Sequence, residues 1–445
     1  MARKSQKRRL TIVHPDCAGI DIGSREHWVA VDPQRVEEPV RRFGTFTDEL
    51  EALADWLAAV GVRTVAMEAT GVYWMALYEV LDARGFELYL VNSRATRQVS
   101  GRKSDVLDCQ WIWQLMAHGL LQGAFRPADA VCTLRAVVRQ RETRVADQAR
   151  SSAHLQKALR QMNIQLDQVV SDVTGKTGMA IVRAIVAGER DPQVLARLRD
   201  GRLRADEATV ARSLYGNWRE EHLFALAQAL AQYDFLEQQI GACDRLLETL
   251  LERLPRQRVE VPAPRKGLRS EHRTKAQQSH LHQALCEVMG VDLTAIPTIG
   301  IDTALVLASE IGPDLERFPS QQHFCSWLNL APSTRISGGK TLPGRPPKRF
   351  NRAGQALRQA AMSARHSQSF IGASHRARLA RMDSAQAVKA TAHQLARLIY
   401  AMLTQGQAYV EKGVETHEAQ SRRRQLRALE RKARQLGLEL TTKAA

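Results

Sequence analysis

Residues 17–32 read CAGIDIGSREHWVAVD, and their alternation decides what kind of fold follows. Ala18, Ile20 and Ile22 place apolar side chains at every second position, Gly23-Ser24 signals a turn, and His27 to Val31 reads as a second strand. The stretch predicts a β-hairpin. Asp21 stands inside the first strand, among apolar neighbours and directly before the turn. An aspartate in a buried strand is costly unless it binds something, so it is the first candidate functional residue. Further along, Phe43 to Phe46 predicts a third strand, and Asp48 to Val60 (DELEALADWLAAV) an amphipathic helix ended by Gly61. Arg63 to Met67 (RTVAM) is a short apolar strand that delivers Glu68 at its C-terminal end. After Ala69-Thr70-Gly71 a helix opens with Tyr73 and Trp74. Phe86 to Val91 (FELYLV) is the next strand, and Asn92 leads into a basic loop holding Arg94, Arg97, Arg102 and Lys103. This order is that of an α/β domain whose ligands gather at strand ends.

Residues 101–114, GRKSDVLDCQWIWQ, follow that loop. Asp105 and Asp108 are three apart, so a helix brings both carboxylates to one face. Like charges that close repel, and a fold tolerates them mainly with a cation between them. Taken alone the pair reads equally as a helix start, with Ser104 as N-cap and Asp105 in the first turn. The acids on the upstream strands change that balance. Asp21, Glu68, Asp105 and Asp108 together offer hard oxygen ligands without His or Cys, a set that selects Mg²⁺ or Mn²⁺ over zinc. Two such ions about 4 Å apart can activate an attacking oxygen and stabilise the leaving one in phosphodiester cleavage.

Composition points the same way. The 445 residues are enough for two to four domains. Lys plus Arg is 64 against 47 for Asp plus Glu, a net charge of +17. An excess of that size favours nucleic acid as a partner, with an acidic membrane second. No apolar run approaches the ~20 residues of a membrane span. The basic N-terminus, MARKSQKRRL, has no apolar stretch after it and reads as an arm for phosphates rather than a signal peptide. The six cysteines are scattered without a CxxC pair or a His cluster at zinc spacing, which suits a cytoplasm.

After Pro127 the texture becomes helical. Residues 128–162 carry loose helical spacing, 163–220 read as a helical insert, and Leu226, Leu230, Tyr233, Leu236, Ile240, Cys243, Leu247, Leu250 and Leu254 form a coiled-coil stripe. That stripe serves either a second protomer or an antiparallel hairpin with residues 128–162. Residues 255–280 read as a linker, and a second unit begins near Leu281. Its stretch IPTIGIDTALVLASEIG (296–312) resembles a helix-hairpin-helix, with Gly300 at a helix start where backbone N–H groups grip a phosphate. Residues 174–188 echo it faintly and read better as an ordinary turn before a buried helix. Next, Ser337-Gly338-Gly339-Lys340 is a small-residue loop set among Arg335, Arg345, Lys348, Arg349 and Arg352. Glycines permit close approach of a phosphate and the cations neutralise it. Its serine is a hydrogen-bond donor on that reading, or a nucleophile if its ionisation is assisted. Residues 406–445 form a basic helical tail.

Five separated stretches, GIDIGSREHWVAV, VAMEATGVYW, GRKSDVLDCQ, IPTIGIDTALVLASEIG and LAPSTRISGGK, together resemble the DEDD-type insertion-sequence transposases of the IS one-ten family. The resemblance spans residues 13–405. It implies an RuvC-like (RNase H-like) domain over 13–127 after a basic arm (1–12), coiled-coil helices over 128–254, and a mainly α-helical transposase domain over 281–405. It also implies that Asp21, Glu68, Asp105 and Asp108 bind the metal, and that Ser337 is the nucleophile that joins covalently to DNA, with Ser333 and Ser326 as back-up candidates. Arg102, Lys103, Gly300, Arg335, Gly338, Gly339, Lys340, Arg345, Lys348 and Arg349 are then the nucleic-acid contacts. The run Lys348-Arg349-Phe350-Asn351 departs from the family's Lys-Arg-Gly-Asn type. Implied partners are donor and target DNA, a structured bridge RNA that guides strand choice by pairing, and further copies of the chain in a dimer or tetramer. A plain metal-dependent nuclease or junction resolvase using water, and a non-catalytic nucleic-acid-binding protein, are the rival readings.

Overall fold

The computed structural model describes residues 11–69, 71–92, 96, 105–265, 273–332, 335–342 and 351–406, with scattered tail positions between 423 and 437. The chain divides into two compact units, Met1–Arg126 and Pro127–Ala445.

The first unit is built on β1 (Cys17–Ile22), β2 (Glu26–Ala30), β3 (Val40–Gly44), β4 (Thr64–Glu68) and β5 (Glu87–Val91), in the order β3-β2-β1-β4-β5. β1, β2 and β3 pair antiparallel through the hairpin, whereas β4 and β5 run parallel to β1. With α1 (Thr47–Ala59), α2 (Trp74–Ala83) and α3 (Asp105–Ala117) this is a mixed, RNase H-like α/β layer. Strand parity assigns the faces. Ile20, Ile22, Val65 and Met67 pack against Leu53 and Leu57 of α1 and Leu77 and Leu81 of α2. Cys17 and Ala66, of the opposite parity, pack with Ile112 and Met116 of α3. β3 lies a few residues earlier than its apolar pattern predicts, because its register on β2 runs from Glu26↔Gly44 to Ala30↔Val40. Phe46 is then free to become the N-cap of α1.

Among its described residues the second unit is helical apart from one small hairpin. Its elements are α4 (Asp129–Gln161), α5 (Lys176–Val186), α6 (Pro192–Ala196), α7 (Glu207–Ser213), α8 (Glu220–Arg253), α9 (Lys275–Met289), α10 (Ile301–Ile311), α11 (Gln321–Trp327), β6 (Arg335–Ser337), β7 (Lys340–Leu342), α12 (Arg352–Ser363), α13 (Phe370–Leu379) and α14 (Ser384–Gln405). α4 and α8 lie antiparallel, with Leu155, Leu159 and Met162 against Leu226, Leu230 and Tyr233. The apolar stripe of α8 is therefore satisfied inside the chain. At its middle Cys243 is only half-buried, and Asp244 takes the buried place, ion-paired with Arg141 of α4 at 2.7 Å. α5, α6 and α7 cap the end of this pair through Ile181, Val182, Leu195 and Val210. α9 starts at Lys275, inside the stretch read as linker. A capping box between Thr274 and Gln277 nucleates it, and its first turn is exposed, so apolar periodicity begins only at Leu281. No helix among the described residues is long and apolar enough to cross a membrane.

Candidate metal-binding edge and serine turn

β1 pairs with β4 from Cys17↔Thr64 to Ile20↔Met67, so Asp21 and Glu68 occupy the next position across the two strands. By parity both share the sheet face with Cys17, Gly19 and Ala66, which is the face that α3 covers. α3 sits on β1 with no room to spare. A Cβ at Gly19 would collide with the backbone of Cys109 and Trp113. The contact places the first turn of α3 beside the end of β1. Burial first, with the Asp21 and Asp108 carboxylates acting in the same direction, pushes the Cys109 thiol up to about 12. Asp108 and Asp21 thus lie within electrostatic reach of one sulfur. Asp21, Glu68 and Asp108 are half-buried, and Asp105 is exposed one turn earlier on the helix.

Two residues that carry no sequence signal hold this edge. Thr96 donates its hydroxyl to Glu68 Oε2 at 2.9 Å, and its carbonyl accepts the Trp111 indole N–H at 2.9 Å. The segment after β5 is thereby tied to both β4 and α3. The four acids supply oxygen donors from two strand ends and one helical turn, a donor set suited to a hard divalent ion. No three of their carboxylates fall within 4.8 Å of one another. Among the described residues that spacing is met by His282, Cys286 and Asp292 instead.

The His282 group is a closed hydrogen-bond network. His282 Nε2 lies 3.1 Å from Asp292 Oδ1, 3.2 Å from Thr294 Oγ1 and 3.7 Å from Cys286 Sγ, all buried. Burial works to raise the Asp292 carboxyl, but hydrogen bonds from His282 and Thr294 outweigh it and hold the group below its usual value. The network fixes the turn ahead of α10. Its signal in the sequence is the four-residue step His282 to Cys286 on one face of α9, completed by an Asp after the helix end.

The serine turn belongs to the second unit. β6 and β7 pair from Arg335↔Leu342 to Ser337↔Lys340, so Gly338 and Gly339 alone make the turn. Their φ angles are 56° and 74°, the left-handed pair that a type I′ turn requires. Both glycines and Lys340 are exposed, and a Cβ at either glycine would meet nothing within 4 Å. Arg102 and Lys103, and likewise Ser333, Arg345, Lys348 and Arg349, lie outside the described residues. Ser326 is exposed on α11. Gly300 is the N-cap of α10 with an extended backbone, φ −92°, and the left-handed residue of that turn is Thr298, φ 76°. Asp302 stands in the first turn of α10 and pairs with Arg273. A carboxylate therefore already faces the positive end of this helix, where a phosphate was expected.

Two family models match the chain. One, described as a transposase of the DEDD IS110 type, covers residues 18–164, and the other, the Transposase IS116/IS110/IS902 family, covers residues 291–376. Between them they span just over half of the sequence. No curated protein matches it.

Proposed function

The chain belongs to the IS116/IS110/IS902 family of transposases, and on that premise we propose that it exchanges DNA strands through a covalent serine intermediate under the guidance of a structured RNA. The observation that supports this most is the neighbouring position of Asp21 and Glu68 on parallel strands, with Asp108 on the helix that covers them. Asp21, Glu68, Asp105 and Asp108 would hold Mg²⁺ or Mn²⁺. The ion's contribution there is to offset charge on a scissile phosphate and polarise it toward attack. The Ser337 oxygen attacks phosphorus and releases its proton to water. A phosphoserine ester forms as the P–O bond to the departing strand breaks, and the departing oxygen takes up a proton. One ester replaces another, so a strand hydroxyl can reverse the exchange without ATP.

The glycine turn beside Ser337 favours close approach of a phosphate, and the net charge of +17 favours holding RNA and DNA at once. A further feature supports assembly of several copies. On α8, Phe224, Ala231, Phe235, Ala242 and Leu246 recur at steps of seven and four and are all exposed, Phe224 by 69% and Phe235 by 57%. This stripe runs outside the seam buried on α4 and would seat a second copy of the chain.

The test is incubation of end-labelled donor and target DNA with protein, guide RNA and Mg²⁺. A protease-sensitive protein–DNA adduct is expected, lost in Ser337→Ala and in Asp105→Asn. Free DNA ends without an adduct would assign the attack to water and make the protein a nuclease. Equal behaviour of wild type and Asp105→Asn would end the catalytic reading.

A further inference from the structure

Between residues 351 and 406 the sequence holds eight Lys or Arg and one acid, Asp383. That acid is already engaged, capping α14 through the backbone N–H of Gln386 at 2.9 Å. The cations of α12, α13 and α14 have no local carboxylate to pair with, and the fold nevertheless brings them together. On α14, Lys389, His393 and Arg397 follow at steps of four and share one face. Arg378 of α13 reaches α14, donating to Thr391 Oγ1 at 2.9 Å and to Gln394 Oε1 at 2.7 Å. Arg358 of α12 donates to the Asn329 carbonyl at 3.0 Å, and Arg397 Nε donates to Gln321 Oε1 at 2.8 Å. Every one of these acceptors is neutral. Among the described residues, the one ion pair formed from these helices is Arg352 with Glu142, and it involves none of these five residues.

The cations sense one another. Burial and the Arg358 charge hold the Lys389 ammonium below its ordinary value. Burial, then Arg397, Arg378 and Lys389, do the same to the His393 imidazole. Like charges drawn together from three helices cost stability, and such a cluster makes physical sense where an anion completes it. Beside the ladder lies a cleft of about 540 Å³ between α11 and α14. Ser320, Gln321, Gln394, Arg397, Tyr400 and Gln405 line it, neutral hydrogen-bonding groups around a single guanidinium. Amides and hydroxyls next to cations suit phosphate and sugar oxygens, which fix a strand's position without reading its bases.

We propose that Arg358, Arg378, Lys389, His393 and Arg397, with the adjoining cleft, form a cradle for the phosphodiester backbone of duplex DNA, built from none of the residues of the acid edge or the serine turn. The proposal rests on the reading that the protein acts on DNA, and its chemistry would hold another phosphodiester polymer by the same contacts. The experiment is a salt series of binding to a labelled duplex by fluorescence anisotropy with the full-length protein. Lys389→Gln combined with Arg397→Gln should lower the slope of log affinity against log salt by about two and weaken binding about tenfold at low salt. Strand cleavage in this variant should fall at limiting DNA and recover at saturating DNA. Lys389→Arg with Arg397→Lys should keep the wild-type slope. An unchanged slope in the neutral variant overturns the cradle whatever happens to cleavage, and so does an equal loss in the charge-conserving variant, which would signal damage to the fold. A loss confined to structured RNA, with duplex binding intact, overturns the assignment to DNA. A changed slope in a protein that makes no strand breaks would leave the cradle standing and the transposase mechanism refuted.

Discussion

Asp244 in the α4–α8 pair and Asp21 at the end of β1 are both carboxylates in protected surroundings, and their neighbours differ in sign. Asp244 receives Arg141 at 2.7 Å and Arg273 at 2.6 Å, and Arg273 continues to Asp302 on α10. Glu310 of α10 is likewise gripped by Arg139 of α4 at 2.7 Å. Asp21 instead has Glu68 across the strand and Asp108 on the covering helix. Burying charge is tolerable when the partner is buried with it. Opposite charges brought together in the second unit join α4, α8 and α10 through Arg273, which lies just ahead of α9. At the acid edge like charges are brought together instead, with the Thr96 hydroxyl donating to Glu68. The same distinction with the sign reversed marks the cations of α12, α13 and α14.

The comparison can be broken in four places. Asp244→Ala leaves two buried guanidiniums without their shared acceptor, and should lower unfolding free energy by about 3–5 kcal/mol in urea denaturation. A loss under about 1 kcal/mol would mean that the matched cluster does not hold the helices. Gly19→Ala drives a methyl group into the α3 backbone and should cost about 1–3 kcal/mol. It should also reduce strand cleavage out of proportion to the fraction unfolded, since α3 carries Asp105 and Asp108. Retained cleavage with normal stability would show that the helix-to-strand distance does not matter.

Acid is a gentler probe. Burial lowers the His27 pKa in the first unit, and burial with Arg378, Arg365 and Arg376 lowers that of His375 in the second. Unfolding returns both to about 6.5, so below that pH the unfolded chain binds protons that the folded chain refuses. Stability should be level above pH 6.5 and decline as the pH falls toward the depressed values. His375→Gln should flatten part of that decline in thermal melts, and an identical profile would exclude His375 as a source. The smallest effect belongs to Asp105→Asn. Its side chain is exposed among like charges, so stability should stay within about 0.5 kcal/mol of wild type while cleavage is lost. A large destabilisation there would place Asp105 in the fold rather than in the chemistry.

The hairpin at Cys17, the strand ending in Glu68 and the paired acids of α3 were legible because alternation and three-residue spacing are local signals. That Asp21 and Glu68 stand side by side was not, since it depends on β4 crossing over to pair parallel with β1, a contact made across forty-odd residues. Thr96 left no trace, being one hydroxyl in a basic loop with no period. The α8 stripe reads as an interface with either of two partners, and the structure seats α4 on it. The steps of four from Lys389 to Arg397 are visible in the letters, but the meeting of those cations with Arg358 and Arg378 is a tertiary fact. Helix boundaries failed where a cap, as at Thr274, starts an element before its apolar face begins.

Around the turn that closes β6 and β7, the chain has exchanged side chains for hydrogen atoms at two successive positions. What a ligand meets there is peptide backbone, whose shape is the same whichever base comes next. On the strand exchange proposed above, the choice between one DNA site and another falls to whatever aligns the strands before they reach this turn.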